Sequence, residues 1–468
     1  MLEKADGTPA PAGLSVTPTD ATVSGTTTVT LTVVSTAVTP TGSHALRLRA
    51  NGASLASSCG SHCASFGLYV AARGDLDPTF GSGGKVTTPI GATDDLAYAV
   101  ALAPDGRIVV AGASANGADY DFALARYNAD GSLDTTFGIG GKVVTAIGGS
   151  DHIYAMALAP DGRIVAAGAA YSITGRYVAL ARYNADGSLD TSFGNGGKVV
   201  TAIGGANASA YAVVLAPSGK IVVAGASHNG ADYDFALARY NTDGTPDTSF
   251  GGGGKVVTPI GSSDDGAQAL ALAPDGRIVV AGYSRGGTGN DFALARYNAD
   301  GSLDTSFGNG GKIVTAMGTG DAAAYALALA PDGRIVVAGY SIGADYDFAL
   351  ARYNADGSLD ATFGSGGKVV TRVGSGDDAP KALALAPDGR IVVAGSSGSG
   401  ANSDFALARY NADGSLDTSF GNGGKVTIGI GTIASLAYAM ALAPDGRIVV
   451  AGASFNGAGT DFALARYY

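Results

Sequence analysis

The sequence has no tryptophan, a single glutamate (Glu3), two cysteines and four histidines. Aspartate therefore supplies 39 of the 40 acidic residues, and because aspartate favours turns whereas glutamate favours helices, the composition argues against a helical fold. No run approaches the ~18 apolar residues of a membrane span, so none is predicted. The net charge of −11 and the pI near 4.7 argue against nucleic acid as a partner, since its binders carry basic patches.

Glycine and proline are abundant, but not to the degree that is typical of disorder. The 74 glycines and 16 prolines make up about a fifth of the 468 residues, below the roughly 25–30% expected of low-complexity chains. Hydrophobic residues make up 46% of the chain, which is enough for a core. A folded, turn-rich, all-β protein is therefore expected.

The two cysteines, Cys59 and Cys63, are separated by three residues in the sequence. In an oxidising compartment they can close a small disulfide loop, and in a reducing one they stay as thiols, so both alternatives are open. A zinc site built on these cysteines and His62 lacks a fourth ligand nearby. No metal site is predicted at these residues.

An internal repeat governs the chain after about residue 73. A Phe-Gly pair recurs every 56 or 57 residues, beginning at Phe80, Phe137, Phe193, Phe250, Phe307, Phe363 and Phe420. A fixed period of this length indicates a repeat architecture in which each copy is one supersecondary unit. Seven copies fill residues 73–468.

Each copy predicts four strands. In the copy at 311–364 they are Lys312–Thr315, Tyr325–Ala330, Arg334–Ala338 and Asp347–Tyr353, bounded by Gly, Asn, Asp and Pro. Pro331-Asp332-Gly333 is a hairpin signal, because Asp-Gly tolerates the positive φ of tight turns. Large and small apolar residues alternate along the strands, so both faces of each sheet are expected to be covered.

Seven such sheets predict a seven-bladed β-propeller of four-stranded antiparallel blades. We label the strands of a blade A to D from the axis outward. The repeat region then begins with a D strand at 85–88 and ends with a C strand at 461–467. The last blade is complete only if the N-terminal strand supplies its outer edge, which predicts a closed ring rather than an open solenoid.

The repeated segments LAPDGRIVVAG, DFALARYNADGSLDTSFG and GGKVVT resemble the bacterial delta-60 repeat, a β-propeller repeat found in large secreted or surface proteins. The resemblance covers residues 73–468 and implies an extracellular or cell-surface location. It brings no catalytic motif. We expect a secreted or cell-surface, non-enzymatic binding or adhesion module that presents variable loops on one face of the propeller. The alternatives are a structural subunit of an extracellular assembly or filament and a propeller enzyme acting on glycosides.

Residues 1–72 differ in composition and contain no repeat. Thr26–Val34 and His44–Ala50 alternate in the manner of strands, and the segment resembles part of a bacterial Ig-like domain. It is short for a complete sandwich of about 100 residues. A truncated module and a donated strand that mediates self-association both remain open.

The two faces of the predicted disc differ within this one sequence. The A–B and C–D connections share one face, where Pro-Asp-Gly recurs in six copies and the spacing from the Arg of ALARY to Phe-Gly is always the same; we call it the uniform face. The D–A and B–C connections share the other, where loop lengths change near 149–154 and 341–345; we call it the variable face. Because one asymmetric ligand cannot use seven identical loops, binding is predicted on the variable face.

Candidate ligand-binding residues are the acidic residues of the D–A loops and the singular side chains near them. They are Asp94, Asp95, Asp151, His152, Tyr171, His228, Asp264, Asp265, Arg285, Asp321, Asp377, Asp378, Lys381 and Phe455. Such a cluster can attract a cation, a basic protein or sugar hydroxyls, or it can consist only of solvated turns. A protein or a carbohydrate is the partner that we expect.

Calcium has weak support. Asp119 with Asp121, and the equivalent pairs Asp232/Asp234 and Asp345/Asp347, supply oxygen ligands, but the Asn-x-Asp-Gly after each C strand is better explained as a turn. No other cofactor is expected. Catalysis is not expected either, because the repeat region has two histidines, no cysteine and no glutamate, and no nucleophile motif.

The Arg of ALARY and the Asp of the following Leu-Asp each occur seven times. Since a guanidinium buried beside Phe and Leu requires a partner, we predict structural pairs such as Arg126 with Asp134 and Arg296 with Asp304. In a closed ring the last of them joins Arg466 to Asp77.

Overall fold

The computed structural model describes residues 73–468 except 118, 206, 287–288, 400–401 and 432, together with the backbone of four short strands before residue 73. These are β1 (Leu2–Lys4), β2 (Leu14–Thr17), β3 (Thr32–Ser35) and β4 (His44–Leu46). β1 pairs with β4 and β2 with β3, both antiparallel. The Ig-like resemblance and the domain boundary at residue 72 stay predictions, and Cys59 and Cys63 lie outside the described residues.

The repeats form seven four-stranded antiparallel sheets, the blades, in which the strands follow one another from A to D. Blade 1 consists of β6 (Asp95–Leu102), β7 (Ile108–Ala115), β8 (Tyr120–Tyr127) and β9 (Lys142–Thr145). Blade 2 consists of β10 (Asp151–Leu158), β11 (Ile164–Ser172), β12 (Gly175–Tyr183) and β13 (Lys198–Thr201). Blade 3 consists of β14 (Ala208–Leu215), β15 (Ile221–His228), β16 (Tyr233–Tyr240) and β17 (Lys255–Thr258). Blade 4 consists of β18 (Asp265–Leu272), β19 (Ile278–Arg285), β20 (Asn290–Tyr297) and β21 (Lys312–Thr315).

The remaining blades follow the same plan. Blade 5 consists of β22 (Ala322–Leu329), β23 (Ile335–Ile342), β24 (Tyr346–Tyr353) and β25 (Lys368–Thr371). Blade 6 consists of β26 (Asp378–Leu385), β27 (Ile391–Ser399), β28 (Asn402–Tyr410) and β29 (Lys425–Ile428). Blade 7 consists of β30 (Ser435–Leu442), β31 (Ile448–Phe455), β32 (Thr460–Tyr467) and β5 (Lys85–Thr88). The described residues include no helix, and hence none with the length and apolarity to cross a membrane.

The blades form a closed ring around an axis. Each A strand contacts the A strands of both neighbouring blades, and β30 of blade 7 contacts β6 of blade 1. The A strands therefore lie innermost and the short D strands outermost. The predicted seven-bladed β-propeller is confirmed.

The N-terminal strand of the repeat region closes the ring as predicted. β5 pairs with β32 in the register Phe462 to Thr88 and Ala465 to Lys85. Next to this pair, Arg466 Nε donates to Asp77 Oδ2 at 3.0 Å. Two segments at opposite ends of the repeat region thus complete blade 7.

The core lies between adjacent blades because the B and C strands are apolar on both faces. Ile108 to Ser114 of β7 and Phe122 to Tyr127 of β8 are buried throughout. Each hydrophobic cluster joins residues of neighbouring blades; Leu124 and Phe137 of the first repeat, for example, pack with Ala179 and Tyr183 of the next. Burial between blades, rather than within one blade, therefore stabilises the ring.

The repeated arginines form joints between blades on the uniform face. Arg126 Nε donates to Asp134 Oδ2 at 2.8 Å, and its guanidinium lies 4.6 Å from the centre of the Phe137 ring. Its Nη1 donates to the carbonyl of Ala185 in blade 2. Arg107, from the Pro-Asp-Gly turn, reaches the same Asp134 at 3.2 Å. The pairs are Arg126–Asp134, Arg182–Asp190, Arg239–Asp247, Arg296–Asp304, Arg352–Asp360, Arg409–Asp417 and Arg466–Asp77.

Candidate functional site

Every A strand contains one residue that has no partner on the B strand. In blade 1 the register passes from Ala97 opposite Gly112 to Ala99 opposite Ala111, so that Tyr98 forms a β-bulge. The same shift occurs in all seven blades, and such bulges re-aim a side chain. The bulged residues are Tyr98, Tyr154, Tyr211, Gln268, Tyr325, Lys381 and Tyr438.

The bulge explains why the B strand has glycine at the end of the repeated Val-Val-Ala-Gly segment. A Cβ at Gly112 would lie 1.8 Å from the carbonyl oxygen of Leu96 in the neighbouring strand. At the equivalent glycines of the other blades the corresponding distance is between 1.8 and 2.2 Å. Only glycine allows the A strand to approach this closely and form the bulge.

The seven bulged side chains form a ring inside the channel of the propeller; we call it the axial ring. The aromatic ring centre of Tyr98 lies 5.0 Å from that of Tyr438 and 5.6 Å from that of Tyr154, and the Tyr154 and Tyr211 rings are 5.2 Å apart. Four tyrosines from four consecutive blades are thus in contact. All seven residues are only partly buried, so each keeps some exposed surface.

Lys381 is the one cation of the axial ring. Its Nζ lies 3.4 Å from the centre of the Tyr325 ring, over the face that attracts cations. Lys381 forms no hydrogen bond or ion pair with any described residue, and burial lowers its pKa to about 8. Part of the Lys381 population is therefore uncharged near pH 8.

Replacing Lys381 by Gln, the residue of blade 4 at this position, is expected to raise the Tm by about 1–3 °C at pH 7. The folded-state pKa lies below the ordinary value of 10.5, so the cost of burying the charge is complete below pH 8. It disappears as the pH rises toward 10.5. Thermal melts at pH 7 and pH 10.5 measure this. An equal effect of Lys381→Gln at both pH values would contradict it.

The rim of the axial ring on the variable face is aromatic in blades 1 to 3. His152, two residues before Tyr154, stacks on it at 5.8 Å and lies 4.9 Å from the Tyr120 ring. Burial lowers the pKa of His152, which favours its neutral form. Tyr171 is 6.4 Å from His152. The predicted residues His152, Tyr171 and Lys381 thus belong to the rim or to the axial ring.

Two further tyrosines extend this surface in blades 4 and 5. A Cβ at Gly266 would lie 2.7 Å from the Tyr283 ring, so this ring covers the glycine. Tyr340 lies 5.9 Å from Tyr325 of the axial ring and 4.9 Å from Tyr346. Tyrosine therefore dominates the entrance of the channel on the variable face.

Four of the predicted ligand-binding aspartates are buried at the start of an A strand. Asp95 accepts the backbone N–H of Ile90 at 2.6 Å and that of Gly91 at 3.1 Å, both in its own D–A loop. Asp151, Asp265 and Asp378 accept equivalent loop amides. Their carboxylates hold the loop rather than project from it.

The preceding aspartates connect neighbouring blades. Asp94 Oδ1 accepts the backbone N–H of Thr460, the first residue of the C strand in blade 7, at 3.0 Å. Asp264, Asp321 and Asp377 accept equivalent amides from Tyr233, Asn290 and Tyr346. The acidic residues of the D–A loops thus have hydrogen-bonding roles within the fold.

The other singular side chains occupy one equivalent position, next to the B–C loop. Each lies at or next to the end of a B strand and pairs with a residue at the start of the C strand; they are Tyr171, His228, Arg285 and Phe455. His228 lies 5.0 Å from Tyr233, and Arg285 is exposed. These residues surround the channel entrance farther from the axis than the axial ring.

The carboxylates considered for calcium interact with neighbouring side chains. Asn116 Nδ2 donates to Asp119 at 2.7 Å and to Asp121 at 2.8 Å. Asn229 Nδ2 donates to Asp232 and Asp234 in the same way. Arg372 pairs with Asp345. Among the described residues, no group of three or more His, Cys, Asp or Glu side chains could hold a metal ion.

Sequence reasoning missed the tyrosines of the axial ring. The available signal was a single repeat position that carries Tyr in five copies and Gln or Lys in the others. Strict alternation places Tyr325 on the same face as Leu327 and Leu329, in the core. The bulge separates this residue from the apolar face, and period-two patterns do not reveal bulges.

Comparison with known families matches the repeats directly. A family model described as "Domain of unknown function (DUF5122) beta-propeller" matches residues 103–137, 159–193, 216–250, 273–307, 330–363, 386–420 and 443–467. Together these segments make up half of the chain. The chain belongs to the DUF5122 β-propeller family. Each matched segment begins near the A–B turn and, in the first six copies, ends at the Phe of Phe-Gly, so the DUF5122 unit contains the B strand, the C strand and the Arg–Asp joint. A search of curated proteins found no match.

Solved structures similar to this DUF5122 propeller have low sequence identity. Sqt1 from Chaetomium thermophilum, bound to the N-terminus of ribosomal protein L10, is 12% identical with a TM-score of 0.44, covering 82% of this chain and 100% of that one. Drosophila Semaphorin 2a is 9% identical with a TM-score of 0.45, covering 85% and 76%. The gluconolactonase XC5397 from Xanthomonas campestris is 14% identical with a TM-score of 0.34, covering 65% and 90%. These proteins differ in function, and the likenesses assign none to this chain.

Proposed function

We propose that this propeller is a non-enzymatic, secreted or cell-surface binding module that holds a carbohydrate at the axial ring. The observation that carries the proposal is the placement of five tyrosines, a glutamine and a lysine at seven equivalent bulges around one channel. The extracellular setting is supported by the resemblance to delta-60 repeats.

The chemistry of the ring suits a sugar. Tyrosine offers a rigid apolar face and a hydroxyl at little conformational cost, so that one side chain supplies both stacking and hydrogen bonding. The Tyr98 ring lies within 5.6 Å of both the Tyr154 and the Tyr438 ring around the axis, so that neighbouring tyrosines can contact one sugar together. Binding sites commonly combine apolar walls with a few polar groups in this way.

The arrangement offers little for catalysis. The buried aspartates nearest the ring, such as Asp95 and Asp151, already accept two backbone amides each. His152 is the histidine of the rim, and burial favours its neutral form. A glycosidase needs two carboxyl groups facing the substrate, whereas the carboxylates of Asp95 and Asp151 face amides of their own loops.

Replacing Tyr154 by Ala is expected to weaken glycan binding at least tenfold, about 1.4 kcal/mol, because it removes the ring between Tyr98 and Tyr211. A glycan array selects the ligand, and isothermal titration calorimetry on the full chain measures the Kd. Asp105→Ala is the control, since Asp105 is a half-exposed residue of the uniform face. We expect Tyr154→Phe to lose less affinity than Tyr154→Ala.

Three results would contradict the proposal. Glycan binding that Tyr154→Ala leaves unchanged would place the ligand elsewhere. If the axial ring binds a protein segment and no glycan, the ligand is a protein and not a carbohydrate. Turnover of a bound glycoside would show an enzyme.

A further inference from the structure

Blade 2 differs in charge from the six other blades at the start of its C strand. Opposite the serine near the end of the B strand, the others carry an aspartate: Asp121, Asp234, Asp291, Asp347, Asp404 and Asp461. Blade 2 has Tyr177 there, opposite Ala170. The residue before it is Arg176, where the other blades carry Tyr, Asn, Ser or Thr. Blade 2 thus lacks the negative charge of the other blades and carries a positive charge beside that position.

Arg176 has no acidic partner within the part of the chain that the structure describes. It forms no ion pair with a carboxylate there, and its Nε is buried without a hydrogen-bond partner. Its Nη1 donates to the Tyr171 hydroxyl at 3.4 Å, a long contact. The guanidinium lies 5.8 Å from the centre of the Tyr171 ring and 6.0 Å from that of Tyr233. In contrast, the arginines of the uniform face are held by aspartates, as Arg126 is by Asp134.

Arg176 is also close to the axial ring. Its guanidinium lies against the Tyr171 ring, which is 6.4 Å from the His152 ring, and His152 in turn stacks on Tyr154 of the axial ring at 5.8 Å. The charge of Arg176 also opposes the rise that burial causes in the pKa of Tyr154. A guanidinium that forms no ion pair with a described carboxylate therefore lies at the tyrosine rim of the proposed sugar site.

We propose that the glycan bound at the axial ring is acidic, and that Arg176 pairs with the carboxylate of a uronic acid residue. This inference rests on the proposed function. Arginine suits the task because its planar N–H groups match a carboxylate in charge-assisted hydrogen bonds and because it is more weakly hydrated than lysine. In a chain with a net charge of −11, an acidic ligand needs a dedicated cation, since the overall field repels it.

The test compares tri-galacturonate with its fully methyl-esterified form, which has the same sugar chain but no negative charge. Titration calorimetry with the full chain is expected to show at least tenfold tighter binding of the acid at low salt. Arg176→Gln should remove this preference by weakening the binding of the acid at least tenfold more than that of the ester, whereas Arg176→Lys should retain part of it. Arg372→Gln is the matched control, because Arg372 is an exposed arginine already paired with Asp345. Equal melting of the variants shows that all are folded.

The outcomes separate this inference from the proposed function. Equal affinity of the wild type for acid and ester, or a preference that survives in Arg176→Gln, would overturn the role of Arg176. If a neutral glycan binds and depends on Tyr154 while the uronides do not bind, the inference fails and the proposed function stands. If no glycan binding depends on Tyr154, both fail.

Discussion

A chain that lacks residues 74–88 is expected to aggregate or to dimerise through the exposed edge of β32. The deletion removes β5, which pairs with β32, and Asp77, which pairs with Arg466 and Arg447. An unpaired strand edge is a template for association with another chain. Arg466 would lose its carboxylate partner, Arg447 would keep only that of Asp445, and Asp77 is fully buried in the intact ring.

Light scattering after size exclusion, together with a thermal melt, measures this effect. The matched control is deletion of residues 1–72, which leaves β5 and Asp77 in place and should preserve the melting of the propeller. Closure itself is inexpensive, because the entropic penalty grows only logarithmically with the length of the closed loop. A 74–88 deletion variant that stays monomeric and melts like the intact chain would show that β5 does not hold the ring closed.

Arg296→Ala is expected to destabilise the protein by about 3–5 kcal/mol, as when one member of a buried ion pair is removed. The Arg296 side chain is 8% exposed, its Nε is 2.8 Å from Asp304 Oδ2, and its guanidinium lies 4.4 Å from the centre of the Phe307 ring. It also donates to the carbonyl of Ala355 in the next blade. The variant therefore leaves a buried carboxylate and a buried carbonyl with fewer donors.

The matched control is Arg277→Ala, because Arg277 donates to the same carboxylate from the surface. Its side chain is 41% exposed and its Nη1 is 3.2 Å from Asp304 Oδ2. Exposed pairs contribute about 0–1 kcal/mol. Chemical denaturation of both variants gives the two free energies of unfolding. Similar losses for Arg277→Ala and Arg296→Ala would mean that burial does not determine the strength of the joint.

The ring and its joints could be predicted because repetition multiplies the signal. Seven copies give the number of blades, and the displaced phase of the repeat places Lys85–Thr88 beside β32. Sevenfold occurrence of Arg and Asp on apolar strands likewise points to buried pairs. The start of the A strand is less predictable from the sequence. Alanine has a low strand propensity, so the prediction begins at Tyr325, but packing between blades overrides this preference and the strand begins at Ala322.

The candidate site was less accessible to sequence reasoning. The many carboxylates of the D–A loops predict that Asp94 and Asp95 are available to a ligand. Composition, however, does not show whether backbone amides donate hydrogen bonds to these carboxylates. Both accept backbone N–H groups. The sequence alone predicts Lys381 near a loop, whereas it lies on β26 at the bulge. Its neighbour across the blade boundary, Tyr325, is far away in the sequence.

The bulge makes each residue of the axial ring independent of the sheet that carries it. Tyr98 has no partner on β7. The close approach of the two strands depends on Gly112 of β7, so it does not depend on which side chain occupies the bulge. Tyr, Gln and Lys already occupy this position in different blades with the same register. Selectivity in this architecture can therefore evolve, or be engineered, one blade at a time, as seven separately adjustable positions on a frame that does not have to be rebuilt.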